Sequence, residues 1–512
     1  MDKIHVLDCT LRDGGYCNEW TFGLENARKI TYGLLEAGID IIECGFITDR
    51  AAYNPDVTKF TTVEEAARVI PDDREGKVFV AMMNYGEYDI DGLPPYDGSS
   101  IDGIRVAFHK KNLKEALELC RKIQEKGYLV FIQAMVSLSY TDKQILDLIR
   151  AVNGFEPYAF YIVDSFGMMK SKDLTRFFYM VEHNLKEDIW IGFHSHNNMQ
   201  LAYSNAQELT AIQTNRNLII DASVFGMGRG AGNLNTELFV GYLNENVGKS
   251  YQLKPLLALI DEILNAFYQR SYWGYSLPNY ISAIHNAHPN YAGYLDDKKT
   301  LTIEGMNDIF GMMDEERKAS YDKAYIEEIY LQYMEKGKTQ EKHAAELKER
   351  LKDRKVLVIG PGKSSVEEKD RIANFVAKND VVVFAVNYDY DCLKSDFIFT
   401  SNLRRFRELS EESRARCIAT SNISSDDVYC QVKYRDLLNA EEAVRDNAAL
   451  MAIRFLMAQG VREIYLAGID GYSHDARENY GKDDMAFFTK NAVLDAINEG
   501  MRKVLSELSS EI

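Results

Sequence analysis

No run of apolar residues in this 512-residue chain is long enough to cross a bilayer, and no early apolar stretch resembles a secretory leader. The seven cysteines are scattered and odd in number, without the paired spacing of a zinc site or a disulfide framework, which points to a reducing cytoplasm. Positive charge is in deficit. Sixty Lys and Arg stand against 78 Asp and Glu, a formal −18 at pH 7. That balance disfavours nucleic acid and anionic membranes as general partners, although a local basic pocket could still bind an acid or a phosphate. There is no internal repeat and no low-complexity tract. What is present is a globular composition, 46% hydrophobic and 27% charged, sufficient for more than one core.

The most informative local feature is His194 and His196 at the end of the apolar run Ile189-Trp190-Ile191-Gly192-Phe193-His194-Ser195-His196. Side chains in a strand alternate between faces, so residues two apart point the same way and two imidazoles can converge on one metal ion. On their own, two such histidines also read as ordinary residues of a half-exposed strand. A metal would need a third, anionic ligand. The strongest source is Leu7-Asp8-Cys9-Thr10-Leu11-Arg12-Asp13-Gly14-Gly15, where an apolar run meets a charged pair and two glycines.

The N-terminal half has a regular rhythm. Apolar, β-branched runs fall at Ile4 to Leu7, Ile41 to Phe46, Val78 to Met82, Ile104 to Phe108, Tyr128 to Met135, Phe160 to Val163, Ile189 to Phe193 and Leu218 to Val224. Segments of helical spacing separate them, for example Asn112 to Cys120 and Ile145 to Ile149. Strands alternating with helices imply parallel pairing, and about 250 residues suits a closed (β/α)8 TIM barrel. Such barrels do their chemistry at the C-terminal ends of the strands. The unusual residues fall there: Arg12 and Asp13 after the first strand, Glu43 in the second, Asp164 and Ser165 after the sixth, and His194 and His196 after the seventh.

Asp8-Cys9-Thr10-Leu11-Arg12-Asp13-Gly14 resembles the D-x-T-L-R-D-G signature of the HMG-CoA lyase-like (DRE-TIM) metallolyases, which include isopropylmalate synthase and, most similar here, 4-hydroxy-2-oxovalerate aldolase. Ile42-Glu43-Cys44-Gly45-Phe46, Val163-Asp164-Ser165-Phe166-Gly167, His194 to Asn198 and Gly226 to Asn233 match further blocks in order, so the resemblance covers about residues 1 to 300. It implies a divalent metal, most often Mn2+ or Mg2+ and sometimes zinc, on Asp13, His194 and His196. A mixed nitrogen and oxygen set with open positions suits an ion that must also hold substrate and water. The metal would polarise a 2-oxo group and stabilise the enolate. Arg12 would then face that oxyanion, or form a salt bridge to Glu43 when no substrate is present. Asn233, a fourth ligand in some relatives, also reads as a turn residue.

One departure concerns proton transfer. The pyruvate-releasing aldolases of this family carry a histidine as acid or base where this chain has Tyr16. A phenol of pKa about 10 needs a depressed value or a different role to act as a base near neutrality. Tyr275, in Trp273-Gly274-Tyr275-Ser276-Leu277, resembles the tyrosine-containing segment after the barrel in the aldolases, and His285 or His288 could replace the missing imidazole. The same stretch also reads as aromatic packing of helices on the barrel mouth. Ser165 and the segment Met135-Val136-Ser137 offer hydroxyls to a substrate carboxylate, or else cap strand ends. Asp164 could instead orient a metal-bound histidine.

These features divide the chain into a barrel over 1–268, a helical extension and linker over 269–354 that ends in the charged stretch Lys336 to Lys355, and a Rossmann-like, doubly wound α/β domain over 355–512. Gly360-Pro361-Gly362-Lys363-Ser364-Ser365 fails as a phosphate loop because the first glycine of that pattern falls at Leu357. A glycine-rich turn between strand and helix can still cradle phosphate through its amides. Through this turn and Leu466-Ala467-Gly468-Ile469-Asp470-Gly471-Tyr472, the C-terminal half resembles bacterial sialyltransferase-type glycosyltransferases, which implies a nucleotide or nucleotide-sugar ligand; a noncatalytic docking role stands beside it.

The expectation is a metal-dependent aldolase that cleaves a 4-hydroxy-2-oxoacid to pyruvate and an aldehyde, or runs the reverse. Two alternatives stay open: a Claisen-type synthase joining an acyl-CoA to a 2-oxoacid, and a metabolite-binding barrel whose function lies in the C-terminal half. Assembly into a homo-oligomer is left open.

Overall fold

The computed structural model describes residues 3–337, 343–390, 393–482 and 491–511, so part of the charged linker and two stretches of the C-terminal domain lie outside the described residues. The chain forms two compact units, one of Met1–Ala292 with Glu315–Tyr321, the other of Gly293–Asp314 with Asp322–Ile512. The expected helical extension is therefore divided. Hydrogen bonds from His288 N to the Lys318 carbonyl (2.8 Å) and from Tyr291 Oη to the Ser320 carbonyl (2.7 Å) tie its middle to the first unit. Tyr330 Oη, paired with Tyr434 Oη at 2.9 Å and donating to Asp446 at 2.8 Å, ties its later part to the second.

The first unit is a closed barrel of eight parallel strands: β1 (Ile4–Asp8), β2 (Ile41–Ile47), β3 (Val78–Asn84), β4 (Gly103–Phe108), β5 (Leu129–Ala134), β6 (Ala159–Asp164), β7 (Trp190–Ser195) and β8 (Leu218–Ala222). Closure comes from Leu7 pairing with Ile41 on one side of β1 and with Asp221 on the other. Alternate residues of each strand pack outward against helices whose apolar positions recur three and four apart, such as Ala116, Leu117, Cys120 and Ile123 on Leu113–Glu125. The remaining residues point inward. Leu7, Ile41, Val80, Phe131, Ala159 and Ile219 form an apolar inner cluster. Nearer the C-terminal ends come Glu43 on β2, Arg105 on β4, Gln133 on β5 and Asp221 on β8, all buried, and His194 follows on β7. The two-residue period thus carries the inner face from hydrocarbon to charge as it nears the catalytic rim.

Register is interrupted once, between Glu43 and Phe46 of β2. Gly45 sits there at φ +148°, and a Cβ on it would lie 2.1 Å from the Thr58 carbonyl oxygen. Only glycine fits that approach, and the irregularity leaves Glu43 facing the interior beside Arg12 and Arg105.

The second unit contains a six-stranded, all-parallel sheet made of β9 (Lys355–Ile359), β10 (Val381–Val386), β11 (Phe397–Thr400), β12 (Cys417–Thr420), β13 (Cys430–Val432) and β14 (Glu463–Ala467). Its spatial order is β13-β12-β11-β10-β9-β14, so the winding reverses between β9 and β14, as in a doubly wound sheet.

Candidate metal centre

The signature around β1 divides into two jobs. Asp8 and Thr10 are structural: Asp8 accepts from Thr10 N (2.9 Å) and Thr236 Oγ1 (2.6 Å), while Thr10 Oγ1 accepts from Val224 N (2.8 Å). These bonds lock the turn after β1 to the turn after β8. Desolvation raises the Asp8 carboxyl to about 6 even though those donors pull it down. Arg12 and Asp13 are thereby fixed over the barrel axis.

Arg12 donates through Nε to Glu43 (2.8 Å) and through Nη1 to Asp13 (2.5 Å), yet its buried Nη2 has no partner. The salt bridge to Glu43 and a free donor therefore coexist on one guanidinium. Asp13 Oδ2 accepts from Asn233 Nδ2 at 2.7 Å and lies 3.8 Å from His196 Nδ1. Burial works to raise the Asp13 carboxyl, but Arg12, His196, His194 and Arg229 outweigh it and hold the group well below the usual carboxylate range. Burial pushes His196 down to about 3, so its imidazole is neutral and offers a lone pair.

One ligand atom from each of Asp13, His194 and His196 can be chosen so that all three lie within 4.8 Å of one another, and all three residues are buried. Two atoms nearby lack partners: His196 Nδ1 and Asn233 Oδ1. Buried polar atoms without hydrogen bonds are costly, and a cation in their midst would satisfy them. Gly228 keeps the space open, since a Cβ there would lie 2.1 Å from Asn233 Nδ2 and 2.7 Å from Asp13 Oδ2. The residues fit a divalent ion.

The carboxylate that orients a histidine is one the sequence reading missed. Asp221 Oδ2 lies 2.9 Å from His194 Nδ1, leaving Nε2 for the centre, and it also pairs with Arg105. Arg105 in turn lies 2.8 Å from Glu43, so Arg12, Glu43, Arg105, Asp221 and His194 form one buried charged chain. The available signal was a lone charge inside each of two apolar strands, Ile104-Arg105-Val106 and Ile220-Asp221-Ala222. Asp164, suggested for this orienting role, instead accepts from Met168 N and Met169 N at 3.0 Å each and shapes the turn after β6.

Other candidates separate as clearly. Tyr16 lies beside Trp20, with ring centres 4.7 Å apart, and the Arg229 guanidinium is 5.5 Å from its ring. Tyr16 is 38% exposed, and partial desolvation of its phenol raises it above 10 against the pull of Arg229, so it is a neutral donor. Tyr275 is not brought to this group: it is 55% exposed, and its ring neighbour is Tyr280. His285 ends the helix Leu277–Ile284. His288 packs edge-on against Phe166, and burial lowers it to about 3. Ser137 Oγ is consumed, accepting from Val163 N and donating to the Ala134 carbonyl. Ser165 Oγ accepts from Val136 N at 2.8 Å and keeps its own proton to donate.

In the second unit the amides of the Gly360-Pro361-Gly362 turn are already engaged. Gly360 N reaches the Ala467 carbonyl, Gly362 N the Gly468 carbonyl, and Ser364 N and Oγ both reach Asp470. The expected phosphate cradle holds a carboxylate of its own chain.

Among known proteins, a family model described as HMGL-like matches residues 104–261. The 4-hydroxy-2-oxovalerate aldolase of Shewanella pealeana is 30% identical over 265 residues, 51% of this chain and 77% of that protein. The 4-hydroxy-2-oxovalerate aldolase 2 of Comamonas testosteroni is 28% identical over 240 residues, 46% of this chain and 67% of that one. In structure, the N-terminal domain of a Bacteroides vulgatus protein assigned as an aldolase aligns at a TM-score of 0.48 and 28% identity, over 59% of this chain and 98% of that domain. Barrel, site and sequence relatives together define a carbon–carbon lyase. The chain belongs to the HMGL-like superfamily, within which it is similar over its barrel half to the 4-hydroxy-2-oxovalerate aldolases. Among the described residues, no helix is long and apolar enough to cross a membrane.

Proposed function

We propose that the barrel is a divalent-metal-dependent aldolase interconverting a 4-hydroxy-2-oxoacid with pyruvate and an aldehyde. The observation that carries this reading is the unpartnered Arg12 Nη2 beside the buried Asp13, His194 and His196 group. An enolate oxygen needs both a cation and a fixed hydrogen-bond donor, and each is provided for at one place. Asp13, His194, His196 and Asn233 Oδ1 would hold Mn2+ or Mg2+, which supplies Lewis-acid stabilisation of the 2-oxo oxygen when bound. Arg12 donates to the same oxygen as charge develops, with its fork held rigid by Glu43 and Asp13. In the condensing direction C3 of the enolate attacks the aldehyde carbon. The neutral Tyr16 phenol donates a proton toward the aldehyde oxygen, the proton released from C3 on forming the enolate is returned to the phenol through solvent, and the product carries the C4 hydroxyl. Ser165 offers its hydroxyl proton to the substrate carboxylate.

The test is pyruvate release from a panel of 4-hydroxy-2-oxoacids by the Mn2+-loaded protein, beside coenzyme A release from acyl-CoA plus 2-oxoacid. Pyruvate release alone is the expected result. Coenzyme A release without it would replace the aldolase by a Claisen synthase, and neither activity in metal-loaded protein would overturn the reading.

A further inference from the structure

The turn after β8 carries a permanent cation, Arg229, for which no side-chain ion pair with a carboxylate is found among the described residues. Arg229 places its backbone N–H 3.3 Å from Asp13 Oδ2 and donates through Nη2 to the Ser165 carbonyl at 3.1 Å, so it stands on the same rim as the metal group. Its Nε is buried without a hydrogen-bond partner. Arg229 itself is half-buried, and the fully buried arginines of this unit have other partners, although Arg12 Nη2 and Arg105 Nε also lack one. Arg12 meets Glu43 and Asp13, Arg105 meets Glu43 and Asp221, and Arg216 donates to the carbonyls of Glu182, Leu185, Lys186 and Ile189. Arg229 has one carbonyl and a tyrosine face.

The surroundings add donors and no competing anion except Asp13, which already faces Arg12 and Asn233. Tyr16 and His288 are neutral, and burial also lowers His109. A half-buried guanidinium with an idle, buried Nε is a two-pronged site for an oxyanion. We propose that Arg229 recognises an anionic group, carboxylate or phosphate, on the aldehyde half of the substrate. The inference rests on the aldolase reading and narrows its substrate class. The 2-oxoacid end is committed to the metal group, Arg12 and the Ser165 hydroxyl, and the guanidinium lies over the ring of Tyr16, which faces the aldehyde oxygen, so the charge that Arg229 pairs with lies on the other side of the bond that is made or broken.

The experiment measures kcat/KM for condensation with pyruvate by the full-length, Mn2+-loaded chain, comparing succinic semialdehyde with butanal and glyceraldehyde 3-phosphate with glyceraldehyde. The expected result is a preference of about tenfold or more for the charged member of at least one pair, and the pair that shows it identifies the anion. In Arg229→Met the charged-to-neutral ratio falls to near one, and Arg229→Lys keeps part of it. A wild-type ratio near one overturns the inference. So does an Arg229→Met variant that slows both members alike, as it would if Arg229 bound the pyruvate carboxylate or only held the turn. Exchange of the pyruvate C3 hydrogens into D2O, followed by NMR, reads enolate formation without any aldehyde. Exchange with no charge preference defeats this inference alone, whereas no exchange and no condensation defeats the aldolase reading with it.

Discussion

Both units of this chain have glycine-rich turns at the ends of parallel strands, yet the turns of the barrel rim and the turn at the reversal of the second sheet treat their polar atoms in opposite ways. At the barrel rim Arg12 Nη2, His196 Nδ1, Asn233 Oδ1 and Arg229 Nε are buried without partners. At the reversal of the second sheet, Asp470 takes the Ser364 amide and hydroxyl, and Lys363 pairs with Glu478. An unsatisfied buried group costs on the order of 1–3 kcal/mol, so several at one rim mark a place where the fold is incomplete without a ligand. A glycine-rich turn whose glycine amides are already taken marks the reverse. The presence of glycine at a strand end is therefore weaker evidence of binding than the state of the atoms around it.

The largest expected effect is on the barrel side. His194→Ala/His196→Ala should abolish turnover, by about a thousandfold or more, and remove Mn2+ binding in calorimetry while the circular dichroism spectrum is retained. Full Mn2+ affinity in that double variant would break the assignment of the rim as a metal centre. Next comes Arg12→Lys, which keeps the charge but loses the planar fork that reaches Glu43, Asp13 and an oxyanion together. Turnover should fall by about a hundredfold with metal affinity retained. Near-normal turnover would make Arg12 only the ion-pair partner of Glu43.

How much of this could be read from the sequence follows from what each signal encodes. The eight apolar runs and the two-residue spacing of His194 and His196 are local patterns, and strand geometry turns them directly into a closed barrel with both imidazoles at one end. Asp221 was missed because its role depends on pairing across β8 and β7 and on Arg105 from β4, contacts with no local signature. Asp164 looked like an orienting group because a metal-bound histidine usually needs one, but the amides of Met168 and Met169 claim it. The turn at Gly360 looked open because the carboxylate that fills it comes from Asp470, 106 residues beyond Ser364.

The missed residue supplies the third prediction. In Asp221→Asn the His194 ring loses a charged anchor and Arg105 loses a counter-charge, so Mn2+ affinity should drop by about 10- to 100-fold and the thermal midpoint should fall as well. Arg105→Met/Asp221→Asn separates the two losses, because Glu43 retains Arg12 as its partner. The double variant should recover the midpoint without recovering the affinity. Recovery of both would reduce Asp221 to charge balance and take the barrel's buried chain out of the metal centre.

The smallest effect tests the other side of the comparison. Asp470 accepts from Ser364 N at 2.8 Å and from Ser364 Oγ at 2.5 Å in an exposed turn, so Asp470→Ala should cost only about 1 kcal/mol of stability. The substitution also removes the negative charge from the place where a phosphate would sit between β9 and β14. If the wild-type turn is closed because Asp470 occupies it, inorganic phosphate or UDP should leave the thermal midpoint of wild-type protein unchanged and raise that of Asp470→Ala, whose Ser364 amide and hydroxyl are then free. A midpoint rise in the wild type with either ligand would show that the second sheet binds anions despite its carboxylate. The contrast between a rim that waits for a ligand and a turn that supplies its own would then collapse.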